Sequence, residues 1–145
     1  MADEEEVNSI ANEMQLQQAR GEIIRQQIQQ MQRNILEISS AVDALNNLKK
    51  AKSDTLVPIG AGVLISCPKP VSDRVIIDIG ANIMVEKKPE EAVKILQDRQ
   101  KKIMDAVEES QKGLNEVVRA IERLTERASL IAAEEERGNV RPAKE

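Results

Sequence analysis

The chain contains 145 residues, of which 32% are charged and none is aromatic, and its formal net charge is −4. A compact globule obtains much of its buried area from aromatic side chains, so their absence indicates a thin core and favours long helices. The negative charge disfavours nucleic-acid binding, and no apolar run approaches the roughly 20 residues that a membrane helix needs. We therefore expect neither nucleic acid nor a membrane among its partners.

Histidine is absent and Cys67 is the single cysteine. The commonest general base and the commonest zinc ligand are therefore missing, and the carboxylates, lysines and lone thiol form no pattern typical of a catalytic site. The acidic start, MADEEEV, lacks the basic and apolar segments of a signal peptide. We expect a cytoplasmic protein that is not an enzyme and that has no catalytic residues, metal or cofactor.

Residues 1–52 are predicted to form a helix with an apolar heptad seam. One seam position holds Val7, Met14, Gly21, Ile28, Ile35 and Val42, and the other holds Ile10, Gln17, Ile24, Met31, Ile38 and Leu45. Ten of these twelve residues are apolar, a pattern typical of coiled coils. The exceptions, Gln17 and Gly21, weaken the seam toward its N-terminal end. Lysines at positions 49, 50 and 52 favour the end of the helix.

Residues 53–88 predict two β-hairpins in series. Four short stretches are rich in β-branched residues, as strands are: TLVPI (55–59), VLISC (63–67), RVIIDI (74–79) and IMVEK (83–87). The hairpin turns are expected at Gly60 and Gly62 and at Gly80 and Asn82, because these residues tolerate the positive φ of tight turns. A strand follows Gly62 where a phosphate-binding loop would lead into a helix, so nucleotide binding is not expected.

These strands carry apolar residues on both faces. The residues are Leu56, Val57, Ile59, Val63, Leu64, Ile65, Val75, Ile76, Ile77, Ile79, Ile83 and Val85. Two short hairpins cannot bury both faces of their own sheet, and their open edges invite pairing with other strands. We therefore expect residues 53–88 to form a hub through which copies oligomerise.

Residues 89–137 are predicted to form the second helix, which begins at Pro89 with Glu90 in its first turn. Its seam positions hold Val93, Gln100, Val107, Leu114, Ile121 and Ala128, and Leu96, Ile103, Ser110, Val117, Leu124 and Ile131. The two seams share length and period, which predicts an antiparallel two-helix coiled coil. Gly138 and Pro142 indicate a flexible tail over 138–145. The predicted fold is mainly α with a small β part, in one elongated domain.

The order helix, TLVPIGAGVLI, DRVIIDIGANIMVEK, helix resembles the α subunits of the archaeal prefoldin family over nearly the whole chain. Two hairpins favour the α type, since the β-type subunits of that family have one. Asn82 stands where a second glycine is common, and asparagine accepts the same backbone conformation.

The resemblance implies a hexamer of two α and four β-type subunits. In it, two α subunits would pair through their strands into a double β-barrel platform, and the β-type subunits would join its edges. Members of the family hold unfolded polypeptides near the tips of their coiled-coil arms without ATP. They then pass these clients to a cytosolic group II chaperonin.

The helix ends far from the hairpins are the expected client-binding region. There Gln17 and Gly21 interrupt the seam, and a loosely closed seam would expose apolar side chains with a polar rim. The candidate residues are Val7, Ile10, Met14, Leu16, Leu124, Leu130 and Ile131. The alternative for these residues is that they close a fraying coiled coil. In that case the chain would be a structural coiled-coil scaffold or tethering protein.

Overall fold

The computed structural model describes residues 2–48, 50, 53–70 and 73–139. Within them the elements are α1 (Ala2–Leu48), β1 (Thr55–Gly60), β2 (Val63–Cys67), β3 (Val75–Asp78), β4 (Met84–Lys87) and α2 (Pro89–Asn139). The chain divides into two compact units. We call residues 1–30 with 106–145 the terminal unit and residues 31–105 the hairpin unit.

The helix ends follow from local chemistry. Pro89 occupies the first position of α2, where its missing N–H breaks no helical hydrogen bond, and acidic side chains fill the first turn. The Lys88 amide donates to Glu91 Oε2 at 3.3 Å, which caps this end. Helix α2 continues to Asn139, so Gly138 is helical and does not start the tail.

Several predicted end signals cannot be placed. Lys49, Lys52, Pro142 and residues 140–145 of the predicted tail lie outside the described residues. Helix α1 ends at Leu48, before the predicted limit at residue 52.

The two helices run antiparallel within the terminal unit. Glu6 of α1 pairs with Arg127 of α2, and a Cβ added to Gly113 would lie 3.8 Å from Ile24 Cδ1. Every predicted seam position in this unit other than Val7 is buried or half-buried. The heptad pattern therefore identifies the buried face of each helix segment.

The helices are also antiparallel within the hairpin unit, where the seam carries a polar contact. Gln100 Nε2 donates to Ser39 Oγ at 2.7 Å and to the Ile35 carbonyl at 3.4 Å. Every predicted seam position in this unit is half-buried. Because the Gln100 amide group finds partners in one alignment of the helices, it helps to fix their register.

Each hairpin is an antiparallel pair of strands, and β1 pairs with β2 while β3 pairs with β4. Thr55 lies opposite Cys67, and the register shifts between Pro58 and Gly60, where β1 has a bulge. In the second hairpin Val75 lies opposite Lys87. The predicted strands are therefore present, with β3 and β4 shorter than the apolar stretches that mark them.

Both turns use a run of three residues with positive φ. Gly60 has φ +120° and Gly80 has φ +112°, a region open to glycine alone. The remaining turn residues are Ala61 (+49°), Gly62 (+78°), Ala81 (+51°) and Asn82 (+60°). The two alanines adopt the left-handed conformation although their side chains disfavour it, because the glycine before each one admits the tight turn.

The substitution Gly60→Ala should loosen the first hairpin. No heavy atom lies within 4 Å of the added Cβ, so the penalty is backbone strain of about 1–3 kcal/mol. We expect the amide hydrogens of Val63–Cys67 to exchange roughly tenfold faster or more. Hydrogen exchange with mass spectrometry measures this rate.

Gly138→Ala is the matched control, since its added Cβ also meets nothing within 4 Å. It lies in a helix, where alanine stabilises by about 0.5–1 kcal/mol over glycine. Exchange in the hairpin should not change in this variant. Unaltered exchange in Gly60→Ala would show that the turn does not require glycine.

Candidate functional site

The terminal unit places its predicted client-binding residues at different depths. Val7, Leu16 and Leu130 are 43%, 66% and 57% exposed. Ile10 and Ile131 are buried in the seam between the helices. Met14 and Leu124 are half-buried. The exposed residues present a surface in the closed helix pair, and the buried ones become available to a ligand if the seam opens.

The exposed candidates lie on separate, open parts of the surface. Leu16 lies among polar side chains of α1 that include Glu5 and Asn12. Leu130 lies on α2 with Thr125 and Ser129. Each apolar side chain therefore has a polar rim, as binding surfaces do.

Sequence reasoning missed two exposed apolar residues of the same unit. Ile23 is 57% exposed and Val118 is 41% exposed. Ile23 lies one heptad after Leu16, so both project from one face of α1. Both residues lie outside the a and d positions of the seam. An apolar residue at such a position is the feature of the sequence that could have identified them.

The seam has a polar defect at Gln17. Its Nε2 donates to Glu13 Oε1 at 2.9 Å, within α1. Its Oε1 has no solvent contact and no hydrogen-bond partner in the part of the chain that the structure describes. A buried acceptor of this kind costs about 1–3 kcal/mol. The closed seam is thus least favourable at the point where the sequence interrupts its apolar pattern.

One helical turn further on, Gly21 sets how close the helices come. Gly21 is buried, and a Cβ added to it would lie 3.2 Å from Val117 Cγ1 and 3.9 Å from Leu114 Cδ1. Val117 is 2% exposed and is the most deeply buried large side chain among the described residues. Glycine therefore permits tight packing at a position where it also lowers helix propensity.

An ion pair joins the helices near the chain ends. Arg127 Nε donates to Glu6 Oε1 at 2.7 Å and Nη2 lies 2.6 Å from the same oxygen. This hydrogen bond, and then the negative charge of Glu6, raises the pKa of Arg127 above its ordinary value. The pair is exposed to solvent, so salt screens it. It is a contact between α1 and α2 that contributes little to stability because water and salt screen it.

The strands of the hairpin unit expose most of their predicted hub residues. Val75 and Val85 are half-buried, and Ile77 is buried. The exposed residues are Leu56, Val57, Ile59, Val63, Leu64, Ile65, Ile76, Ile79 and Ile83. Each sheet has two strands, so among the described residues one edge of every strand has no neighbouring strand. Exposed apolar side chains and open strand edges of this kind are typical of surfaces that associate with other strands.

The two hairpins differ in how they are held. Ile77 of β3 is 9% exposed and faces a cavity of about 360 Å³ whose lining includes Leu45 and Leu96. Arg99 of α2 donates to the Asp78 carbonyl. The first hairpin has no such anchor among the described residues, since its strand residues other than Thr55 and Cys67 are exposed. It also contains no Asp, Glu, Lys or Arg.

Comparison with known proteins identifies the family. Residues 16–134 match the family model described as prefoldin subunit. The chain is 35% identical over 102 residues to prefoldin subunit alpha of Thermofilum pendens, covering 69% of this chain and 79% of that protein. It is 28% identical over 134 residues to prefoldin subunit alpha of Methanobrevibacter smithii, covering 92% of both. The chain belongs to the prefoldin family.

A solved prefoldin structure shares the fold. The cryo-EM structure of filamentous PFD from Methanocaldococcus jannaschii aligns with a TM-score of 0.69 at 25% identity, covering 79% of this chain and 97% of that one. The predicted family and the predicted fold class, two long helices with small antiparallel hairpins, are confirmed. Prefoldins are chaperones, and this chain is a member of that class. In the described residues, no helix is long and apolar enough to cross a membrane.

Gln17→Leu should stabilise this prefoldin chain, because it replaces an unsatisfied buried acceptor with an apolar seam residue. We expect a gain of about 1–2 kcal/mol. Thermal unfolding followed by circular dichroism at fixed protein concentration measures it. Gln100→Leu is the control, since the Gln100 amide already has partners and should yield no gain. Equal stabilisation by both substitutions would contradict the role of the unpartnered oxygen.

Proposed function

We propose that this chain is the α subunit of an ATP-independent holdase that binds unfolded polypeptides and delivers them to a cytosolic group II chaperonin. Its cellular location would be the cytoplasm. The observation that carries the proposal is the set of exposed leucine and valine residues beside a defective seam in the terminal unit. Family membership supports the chaperone class. Neither nucleic acid, membrane nor cofactor takes part.

The terminal unit is the client-binding part in this proposal. Leu16 and Leu130 lie outside the seam, so packing between the helices does not account for them. Separation of the helices around Gln17 would add Ile10 and Ile131 to the available apolar surface. An apolar surface that grows when the helices part suits clients of varied sequence better than a fixed pocket does.

The hairpin unit is the assembly part. The exposed strand residues and open strand edges would be covered by β-type prefoldin subunits and by a second copy of this chain, giving the α2β4 hexamer. Strand addition satisfies the free backbone groups of an edge while it buries the side chains on the faces. The uncharged first hairpin is well suited to burial, because it brings no charge that would need a partner.

A structural scaffold or tethering protein is the alternative. Such a protein would use the same hairpin unit but would need a firmly closed helix pair at its ends. The unpartnered Gln17 oxygen and the exposed leucines favour the holdase over this alternative. An enzymatic role has no support from the residue types present.

Replacing Leu16 and Leu130 together by glutamine should impair client binding. Loss of two apolar contacts should raise the concentration that suppresses aggregation of an unfolded test protein by roughly tenfold or more. Light scattering without nucleotide measures the suppression. The assembly should keep its mass, since neither residue lies in the hairpin unit.

Leu36→Gln is the matched control, because Leu36 is 67% exposed, like Leu16 at 66%, but lies in the hairpin unit. It should leave suppression unchanged. An equal loss of aggregation suppression in both variants would indicate that clients bind any exposed apolar residue. Full suppression by the double variant would show that the terminal unit is not the client-binding part.

Val63→Asp should disperse the oligomer. Val63 is 52% exposed in β2, and an ionised carboxylate buried there by strand pairing costs at least about 3 kcal/mol at each contact. Multi-angle light scattering of the chain co-expressed with a β-type subunit measures the mass. Val118→Asp, on an exposed helical position of the terminal unit, is the control and should keep the wild-type mass. Equal masses in all three samples would contradict assembly through the strands.

A further inference from the structure

The edge of β3 that faces away from β4 carries the backbone groups of Ile76 and Asp78. The Ile79 amide donates to the Ile83 carbonyl at 3.0 Å, so these two residues form a hydrogen-bonded pair across the hairpin. Such pairs alternate with non-hydrogen-bonded pairs along antiparallel strands, and Asp78 lies opposite Met84 at the next position. The N–H and C=O groups of Asp78, and of Ile76 two residues earlier, therefore point away from β4. We call this side of the strand the free edge of β3.

A helix side chain covers part of this free edge. The half-buried Arg99 of α2 donates a hydrogen bond to the Asp78 carbonyl. The Asp78 carboxylate is engaged separately, since its Oδ1 accepts the Gly80 amide at 2.7 Å. The carbonyl that Arg99 binds is one that an added strand would need. Arg99 therefore opposes strand addition at this end of β3.

The outward face of β3 is complementary to a second copy of itself. Arg74, Ile76 and Asp78 are exposed, and the residues between them, Val75 and Ile77, are covered. The three exposed side chains therefore share one face. When two β3 strands pair antiparallel about a two-fold axis at Ile76, Arg74 of each copy lies opposite Asp78 of the other. Opposite charges in cross-strand pairs stabilise a sheet, and the two-fold axis supplies this pair twice.

The corresponding edge of the first hairpin is closed by a proline. Pro58 directly precedes the turn IGAG as Asp78 precedes the turn IGAN, so the two residues hold matching positions. By this match, the missing N–H of Pro58 faces the free edge of β1 and denies an added strand one donor. The same position is thus blocked in both hairpins, by a missing donor in one and by the Arg99 side chain in the other.

The edges of β2 and β4 lack a usable charge match with a second copy. Strand β2 carries no charged residue that could select one register over another. On β4, a match would place Glu86 opposite Lys88 of the other copy. The Lys88 amide already donates to Glu91 and its carbonyl accepts the Ala92 amide at the start of α2. Charge complementarity therefore favours β3 as the strand through which two copies meet.

We propose that Arg99 is a displaceable cap on a dimerisation edge. It covers the Asp78 carbonyl in the single chain, and β3 of a second copy displaces it when the two strands pair about Ile76. The Asp78 carbonyl then accepts the backbone N–H of Arg74 of the other copy in place of the Arg99 guanidinium. This inference rests on the proposed function, and it names the strand, the register and the contact that assembly must break.

A displaceable cap makes the free edge selective. An unrelated strand gains backbone hydrogen bonds but must still displace Arg99. A second copy displaces Arg99 and also gains two pairs between Arg74 and Asp78, so it is favoured over strands without these charges. The cap thus protects an open strand edge from unspecific pairing before the assembly forms.

The first test is a disulfide cross-link between two copies. In a Cys67→Ser chain, Ile76→Cys places two thiols opposite each other across the axis, where the Cα atoms of a hydrogen-bonded pair lie about 5.5 Å apart. The chain is co-expressed with a β-type subunit and mildly oxidised, and non-reducing electrophoresis measures the covalent dimer. We expect it to form about tenfold faster or more than with Met84→Cys, a control on β4 that is 59% exposed.

The second test is a charge reversal on the full-length chain, with the dimer Kd measured by sedimentation equilibrium. Arg74→Glu should weaken the wild-type dimer roughly tenfold, because it places carboxylates opposite each other. In an Asp78→Lys chain the same substitution should instead tighten the dimer by about that factor. This change of sign is independent of any effect of Asp78→Lys on the turn. Glu86→Gln is the control, since it removes only the charge that lies 3.8 Å from Arg74 in its own chain.

Arg99→Ala tests the cap itself. It should tighten the dimer about twofold to tenfold, since no contact of the single chain then has to be broken. Unchanged or weaker dimerisation would overturn the cap, because Arg99 would then only anchor the hairpin.

Two outcomes would overturn the β3 edge while leaving the proposed function intact. They are equal cross-linking at Ile76 and Met84, and weakening of the dimer by Arg74→Glu in both backgrounds. If the chain alone stays monomeric, the cross-link in the co-expressed assembly decides. Failure of the wild-type chain to associate even with a β-type subunit would instead remove the proposed assembly.

Discussion

The seam between antiparallel helix segments is the interaction on which the rest of this prefoldin chain depends. With no aromatic residues, the chain has few other ways to bury apolar area, and Ile10, Ile28, Val117 and Ile131 are among its most buried side chains. Close approach of the helices at Gly21 and Val117 shows how tightly this narrow core is packed. A core of this kind is a single seam with no further layer of apolar side chains behind it. A single polar seam residue therefore changes its local stability.

Two seam glutamines show how the same residue type can have opposite consequences. Gln100 donates to Ser39 Oγ and to a backbone carbonyl, so it aligns the helices of the hairpin unit. Gln17 has a partner on its own helix and an oxygen with none. A satisfied polar group specifies register, whereas an unsatisfied one destabilises the contact around it. The chain thus has a fixed alignment in one unit and a weakened seam in the other.

The strands, in contrast to the helices, leave most of their apolar side chains exposed. Their apolar side chains are exposed on both hairpins, and one edge of each strand has no neighbouring strand in the part of the chain that the structure describes. The second hairpin is partly anchored through Ile77 and Arg99, whereas the first has no such anchor among the described residues. Association through the strands, which we propose above, would supply the burial that a two-helix core does not provide.

The sequence by itself determined the helices, their buried faces, the two hairpins and the family, because heptad period, β-branched runs and glycine spacing are local signals. It also marked Gln17 and Gly21 as exceptions. Only the tertiary structure decided that Gln17 is unsatisfied while Gln100 is not, that Ile77 is anchored, and that Ile23 and Val118 are exposed. These outcomes depend on which side chain lies opposite each residue, and that pairing is set by packing between segments distant in sequence.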